Sequence, residues 1–253
     1  MQKIKVQYDK VWYDMYASPN DSRTNLVSSR KGTQEGKVCT WQNMVSFLNA
    51  EKVFDIGCNY GEFLVTIATE ESKILAFEPN TEVFKCVEHT INDIPFDTSH
   101  IELKNIAIGD EEKEMILNIP DSSGNASLDI NCVKHKHTVK QQSIMVHDIL
   151  TYIEGCKNFV MKLDIEGTEY KVLDRIRKND NFDWYCIMFE FNRFGNVGNE
   201  LIEEFMDGKQ IMGISHNRVE LKNNNFFTYK KGDWDKLQGA SDIIVCKNID
   251  WRK

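Results

Sequence analysis

The chemistry of this chain gathers first at Asp55-Ile-Gly57-Cys-Asn59-Tyr-Gly61, inside the stretch VFDIGCNYGEF at residues 53–63. An apolar run broken by an aspartate and followed by two glycines reads as a strand that turns tightly into a helix. Such a turn leaves backbone N–H groups bare for a ligand. A dinucleotide site would carry G-x-G-x-x-G, so that the helix N-terminus receives a pyrophosphate. Here three residues separate the glycines and the acid stands two before the first, which suits a ligand without a pyrophosphate whose amino-acid part lies against the loop. The expected cofactor is S-adenosylmethionine. Its ribose diol calls for a carboxylate at the carboxyl end of the next strand. Glu78 in KILAFEP (73–79) meets that need, and Pro79 stops the strand beside it.

A second group of acids follows in NFVMKLDIEG (158–167). Lys162 and Asp164 fall on one side of a strand, and Glu166 and Gly167 turn the chain into a helix with Tyr170, Val172, Leu173 and Ile176 at apolar positions. Open α/β sheets bind ligands at such strand ends. Helix capping by Asp164, with Glu166 favouring the helix dipole, is the structural alternative. Methyl transfer to a hydroxyl needs acceptor and methyl held at attack distance, and a base or a metal to deal with the proton. Asp164 is therefore expected to orient or deprotonate the acceptor, directly or through a divalent ion, with Glu166 in support. Glu190 in FEFN and His216 in GISHNRVEL are further candidates, His216 because imidazole titrates near neutrality. His135 and His137 alternate along an expected strand but bring no carboxylate, and the seven cysteines never fall as CxxC, so no residue is assigned as a metal ligand.

The elements that must position these groups have a βαβ rhythm. Apolar runs at 52–57, 73–79, 101–109, 158–167 and 185–192 alternate with helical patterns such as Val83, Phe84, Val87 and Ile91. Later strands are expected in KQIMGIS and SDIIVCKN. The economical assembly is an α/β, doubly wound, mostly parallel sheet. Two regions stand outside the rhythm: an N-terminal arm and loop over residues 1–50, and strands around a Ser/Gly/Asn-rich turn inserted at about 110–146. Both are placed to cover a site, and residues 51–253 are read as one domain.

A formal net charge of −8 gives no general attraction for phosphate backbones, which argues against a nucleic-acid partner. No apolar segment reaches the length of a membrane span, and MQKIKVQYDKVWYD lacks a signal-peptide core, so a cytoplasmic, membrane-free protein is expected.

Over residues 35–192 the chain resembles the FkbM-type S-adenosylmethionine-dependent methyltransferases. VFDIGCNYGEF resembles that family's glycine loop with its asparagine, AFEPN its ribose-binding strand end, and LKNIAIGD the stretch beside adenine. SIMVHDIL is similar to the strand before the fourth core helix, although His147 replaces an apolar residue, and VMKLDIEGTEYKVL matches the run K-x-D-x-E-G-x-E. The resemblance implies a seven-stranded, Rossmann-like class I methyltransferase fold. It implies cofactor contacts from Asp55, Gly57, Asn59, Gly61, Glu78, Pro79, Asn105 and Ala107. It also implies O-methylation of a small molecule, a sugar or nucleotide-linked sugar of surface-glycan or natural-product biosynthesis. A nucleic-acid or protein methyltransferase and a catalytically silent S-adenosylmethionine-binding protein are the competing readings; oligomeric state stays open.

Overall fold

The computed structural model describes residues 1–133, 139–191, 195–215 and 225–249. The chain opens with a hairpin, β1 (Gln2–Tyr8) and β2 (Val11–Ala17), turned through left-handed Asp9 and Lys10, and continues into α1 (Ser22–Arg30) and α2 (Glu35–Leu48). The alternation then begins: β3 (Lys52–Ile56), α3 (Glu62–Thr66), β4 (Lys73–Phe77), α4 (Thr81–Asn92) and β5 (Ile101–Lys104). Three strands of a side sheet follow as β6 (Ala107–Gly109), β7 (Lys113–Ile119) and β8 (Lys140–Asp148). The main sheet resumes with α5 (Leu150–Ile153), β9 (Asn158–Leu163), α6 (Glu169–Lys178), β10 (Trp184–Glu190) and α7 (Gly195–Met206). It closes with β11 (Gln210–Ile214), β12 (Phe227–Thr228) and β13 (Asp242–Lys247).

The main sheet runs β12-β11-β13-β10-β9-β3-β4-β5. Strands β10, β9, β3, β4 and β5 are parallel, whereas β13 lies antiparallel to both β10 and β11. Leaving out the two-residue edge strand β12, the strands numbered along the chain read 3-2-1-4-5-7-6, with the seventh reversed. This is a doubly wound, mostly parallel, Rossmann-like sheet, and its order differs from the 3-2-1-4-5-6 of dinucleotide-binding sheets by that inserted strand. The order reverses between β3 and β9, so a crevice opens beyond the carboxyl ends of those strands. One sheet face packs under α2, α3 and α4, with Val53, Ile74 and Val160 buried there; the other carries Phe54, Met161 and Ile187 under α5, α6 and α7. Among the described residues no helix is long and apolar enough to cross a membrane.

Four local expectations are corrected. Among the described residues the main sheet has eight strands, the expected seven and the short β12, which adds an edge pair to β11. The loop expected within residues 1–50 is largely helical: Asp21 caps α1 by accepting the Arg23 N–H at 2.8 Å, and burial of Val27, Val38 and Trp41 holds α1 and α2 on the core. The run 101–109 is cut in two, since Asn105 donates its amide to the carbonyls of Glu78 and Pro79 and β6 leaves the main sheet to pair with β8. The helix after the glycine turn stops at Thr66. The insertion is a β7–β8 antiparallel pair with a turn of 3-10 helix at Ser123–Asn125, as its Ser/Gly/Asn-rich centre suggested.

Candidate active site

A cavity of about 340 Å³ lies over the carboxyl ends of β3, β4, β9 and β10. Its first wall is the turn after β3. Gly57 has φ +76°, and a Cβ there would stand 1.9 Å from the carbonyl oxygen of Asp164 on the neighbouring strand. The close approach of the chain after β9 is thus enough by itself to require this glycine, which also lines the cavity. Nor are the loop's N–H groups bare: those of Gly57 and Cys58 both donate to the Phe77 carbonyl at 3.0 Å, and that of Gly61 to Cys58 at 2.8 Å.

The Asn59 N–H goes to Glu78 Oε2 at 2.9 Å, and the Asn80 N–H reaches Glu78 Oε1 at 2.8 Å. Each carboxylate oxygen keeps a second acceptor direction for a ligand hydroxyl. Burial pushes the Glu78 pKa up to about 7, with the two N–H bonds pulling the other way. Pro79, Ala107 and the apolar Phe77, Ile106 and Ile108 continue this wall into a slot suited to a flat ring. Asn59 also donates from its amide to Ser123 Oγ at 3.2 Å, which brings the insertion over the turn as a roof.

Asp55, Gly61 and Asn105 do not line the cavity. Asp55 is completely buried and stands behind the wall, where Lys162 Nζ lies 3.4 Å from its Oδ1, 3.5 Å from Asp164 Oδ2 and 3.2 Å from the Gly57 carbonyl. Burial raises the Asp55 pKa despite this lysine. Burial also works against the Lys162 charge, but Asp164 and Asp55 outweigh it and hold the ammonium charged. Asp164 is the pair's opposite: burial opposes its charge, yet Lys162, Lys37 and Arg23 hold it below the ordinary carboxylate range.

The far end of the cavity is lined by Asp164, Glu166 and Glu190. Asp164 is not the cap of the following helix. Thr168 occupies the N-cap position of α6, and the turn is braced by Glu169, whose Oε1 accepts the Ile165 N–H at 2.9 Å and Oε2 the Gly167 N–H at 3.0 Å. Glu166 adopts φ +57° within this turn, and its carbonyl accepts a hydrogen bond from Ser127 Oγ at 2.7 Å. Glu169 is the last acid of K-x-D-x-E-G-x-E, and the spacing alone gives it no role. It is fully buried, its pKa is pushed up to about 7 by that burial, and it shares with Asp164 and Glu190 a cluster of oxygens within 4.8 Å of one another. An all-oxygen set of this kind suits a hard divalent cation. Each Glu169 oxygen accepts one backbone N–H, so the residue braces the turn and keeps a second acceptor direction toward the cluster.

The N-terminal segment supplies residues that no local motif announced. Arg23 of α1, Gln34 ahead of α2 and Lys37 within α2 all line the cavity. Lys37 is buried in an ion pair with Asp242, the register partner of Glu190. His135, His137 and His216 lie outside the described residues. His147 lies on β8 away from the cavity, with Nδ1 3.0 Å from the Tyr152 hydroxyl.

No protein-family model matches the sequence, and no curated protein matches it. Among solved structures the chain is similar to a methyltransferase FkbM from Methylobacillus flagellatus KT, with 16% identity, 81% of this chain and 47% of that chain covered, and a TM-score of 0.48. It is also similar to the Pyrococcus abyssi tRNA (uracil-54, C5)-methyltransferase in complex with S-adenosyl-L-homocysteine, with 11% identity, coverage of 97% and 44%, and a TM-score of 0.48. A third is the magnesium protoporphyrin IX methyltransferase from Synechocystis PCC 6803 with bound SAM, with 10% identity, coverage of 83% and 78%, and a TM-score of 0.42. The chain spans about half the length of the first two.

Proposed function

We propose that this chain is an S-adenosylmethionine-dependent methyltransferase that methylates a hydroxyl of a small molecule, with a sugar or nucleotide-linked sugar as the acceptor class. The observation that carries the reading is the wall made by Gly57–Asn59 and Glu78. Its carboxylate has acceptor directions left for two hydroxyls, while the loop's N–H groups at 57, 58, 59 and 61 are spent on the protein itself. A ribose fits that wall and a pyrophosphate does not. The charge balance agrees, because Glu78, Asp164, Glu166 and Glu190 face only Arg23 and Lys37 among the ionisable residues lining the cavity. Four carboxylates against two cations favour a cationic sulfonium over an anionic dinucleotide. The apolar slot at Ile106–Ile108 takes the adenine.

The cofactor brings a methyl group on a sulfonium, an excellent leaving group, so the protein's task is positioning. Asp164, held anionic by its three cationic neighbours, orients the acceptor by taking its hydroxyl hydrogen bond, with Glu166 and Glu190 flanking it. A carboxylate with a depressed pKa is a weak base, so proton removal calls for a group nearer neutrality. His216 is the candidate, and a His216→Ala variant should shift the pH–rate profile.

Isothermal titration with S-adenosylmethionine, followed by a mass-shift screen of cellular metabolites and nucleotide-linked sugars, tests the whole reading. Binding together with one added methyl on a small molecule supports it. Binding without transfer to any pool identifies a silent binding protein, methyl found in RNA or protein redirects the acceptor class, and absence of binding removes the proposal.

A further inference from the structure

We infer that Arg23 anchors the amino-acid end of the cofactor, its guanidinium receiving the α-carboxylate; this rests on the reading proposed above. The side chain is fixed over the turn by contacts on both sides of it. Asp21 accepts the Arg23 N–H at 2.8 Å through Oδ1 and the Tyr60 hydroxyl at 2.7 Å through Oδ2, which pins this part of α1 over residue 60 of the loop. Arg23 Nη2 donates to Glu62 Oε2 at 2.7 Å and to Thr33 Oγ1 at 3.0 Å. Glu62 is the first residue of α3, directly after Gly61, and its other oxygen takes the Thr33 N–H at 2.8 Å and a bond from the Tyr8 hydroxyl. The guanidinium is therefore held from behind by groups that do not face the cavity, while Arg23 itself lines it.

Those bonds engage two of the five N–H donors of an arginine. The Nε–H is buried without a partner in the protein, an arrangement that costs free energy unless a ligand or a small rotation relieves it. Position decides between the two cations of the cavity. A cofactor whose ribose rests on Glu78 and whose chain follows the turn from Gly57 to Asn59 arrives next at residues 60–62, beneath Arg23. Lys37 sits at the other end, paired to Asp242 beside Glu190, on the acceptor side. A carboxylate on Arg23 would meet the donors left on Nη1, on a guanidinium already oriented by Glu62 and Thr33 through Nη2, which makes a charge-assisted hydrogen bond.

The test compares three probes by isothermal titration against wild type and Arg23→Met: S-adenosylhomocysteine, decarboxylated S-adenosylmethionine, and 5′-methylthioadenosine, which lacks the amino acid altogether. Arg23→Met should weaken S-adenosylhomocysteine about 10- to 100-fold and leave the two carboxylate-free probes within about twofold. Should Arg23→Met not fold, as judged by its thermal transition, Arg23→Lys keeps a charge opposite Glu62 without the Nη1 donors, and the same ratio between probes is read from it. A folded variant that binds S-adenosylhomocysteine as wild type does, or that loses all three probes by one factor, overturns the assignment while the cofactor reading stands. Wild-type protein that binds none of the three removes both.

Discussion

At the scale of single residues, Gly57 and Glu78 stand side by side in the wall for different physical reasons. Gly57 is held by its own fold: Gly57→Ala places a Cβ against the Asp164 carbonyl in left-handed backbone, and strain plus overpacking should cost roughly 2 to 5 kcal/mol in urea unfolding. An unchanged midpoint would mean that β3 and β9 do not approach as described. Glu78, in the proposed reading, holds the ribose. Because its pKa lies near 7 in the free pocket, cofactor affinity should rise about tenfold between pH 6 and pH 8 as the carboxylate gains its charge. Glu78→Ala should lose about 1.5 to 3 kcal/mol of binding and flatten that dependence, measured by titration calorimetry across the range. A pH-dependence that persists in the variant would move the ribose elsewhere. Glu78, Asn59 and Asp164 were legible because each sits in a short segment whose spacing fixes its place on a strand end. Arg23 and Lys37 were not, since nothing in SRTNLVSSR or EGKVCT says which strand ends those helices will face.

Among the elements, the N-terminal segment is where sequence pattern and structure part most. Helix α1 buries only Thr24 and Val27, too few apolar positions for a readable period, and it forms because Asp21 caps it and the core receives it. The strand expected at 101–109 failed for the converse reason: its apolar content runs on, but the Asn105 amide finds the Glu78 and Pro79 carbonyls and ends the ladder. Glu62 ties the segment to the glycine turn, with Arg23, Thr33 and Tyr8 all donating to it. Glu62→Ala removes the carboxylate that holds the half-buried Arg23, and should cost about 1 to 3 kcal/mol. Hydrogen exchange should then accelerate first in α1 and in β1 while the central strands stay protected. Uniform acceleration across the sheet would show instead that Glu62 serves the global fold and not this junction.

Over the whole molecule, the doubly wound order was readable because five apolar runs alternate with amphipathic helices, and that topology alone places the acids of β4, β9 and β10 around one crevice. Gathering them stores a pH-dependence in the fold. Glu78 and Glu169 are both raised from an ordinary 4.5 to about 7 by burial. The folded state thus binds these two protons more tightly than the unfolded chain does. Their stabilising contribution is fully present below the unfolded value and is lost as pH rises through about 7. Asp164 runs the other way: its pKa is lowered, so its contribution is present above the ordinary value of 3.8 and is lost as pH falls through the depressed one. Between about pH 5 and pH 8 these two carboxylates together should withdraw stability from the ligand-free protein on the order of a few kcal/mol. Thermal melts of wild type and of the Glu78→Gln/Glu169→Gln double variant separate this from all other titrations, because the wild-type stability relative to the variant must decline steadily with pH. A constant difference would place the two carboxylates in contact with solvent, and with that the enclosed ribose wall and the braced Asp164 turn would both be wrong.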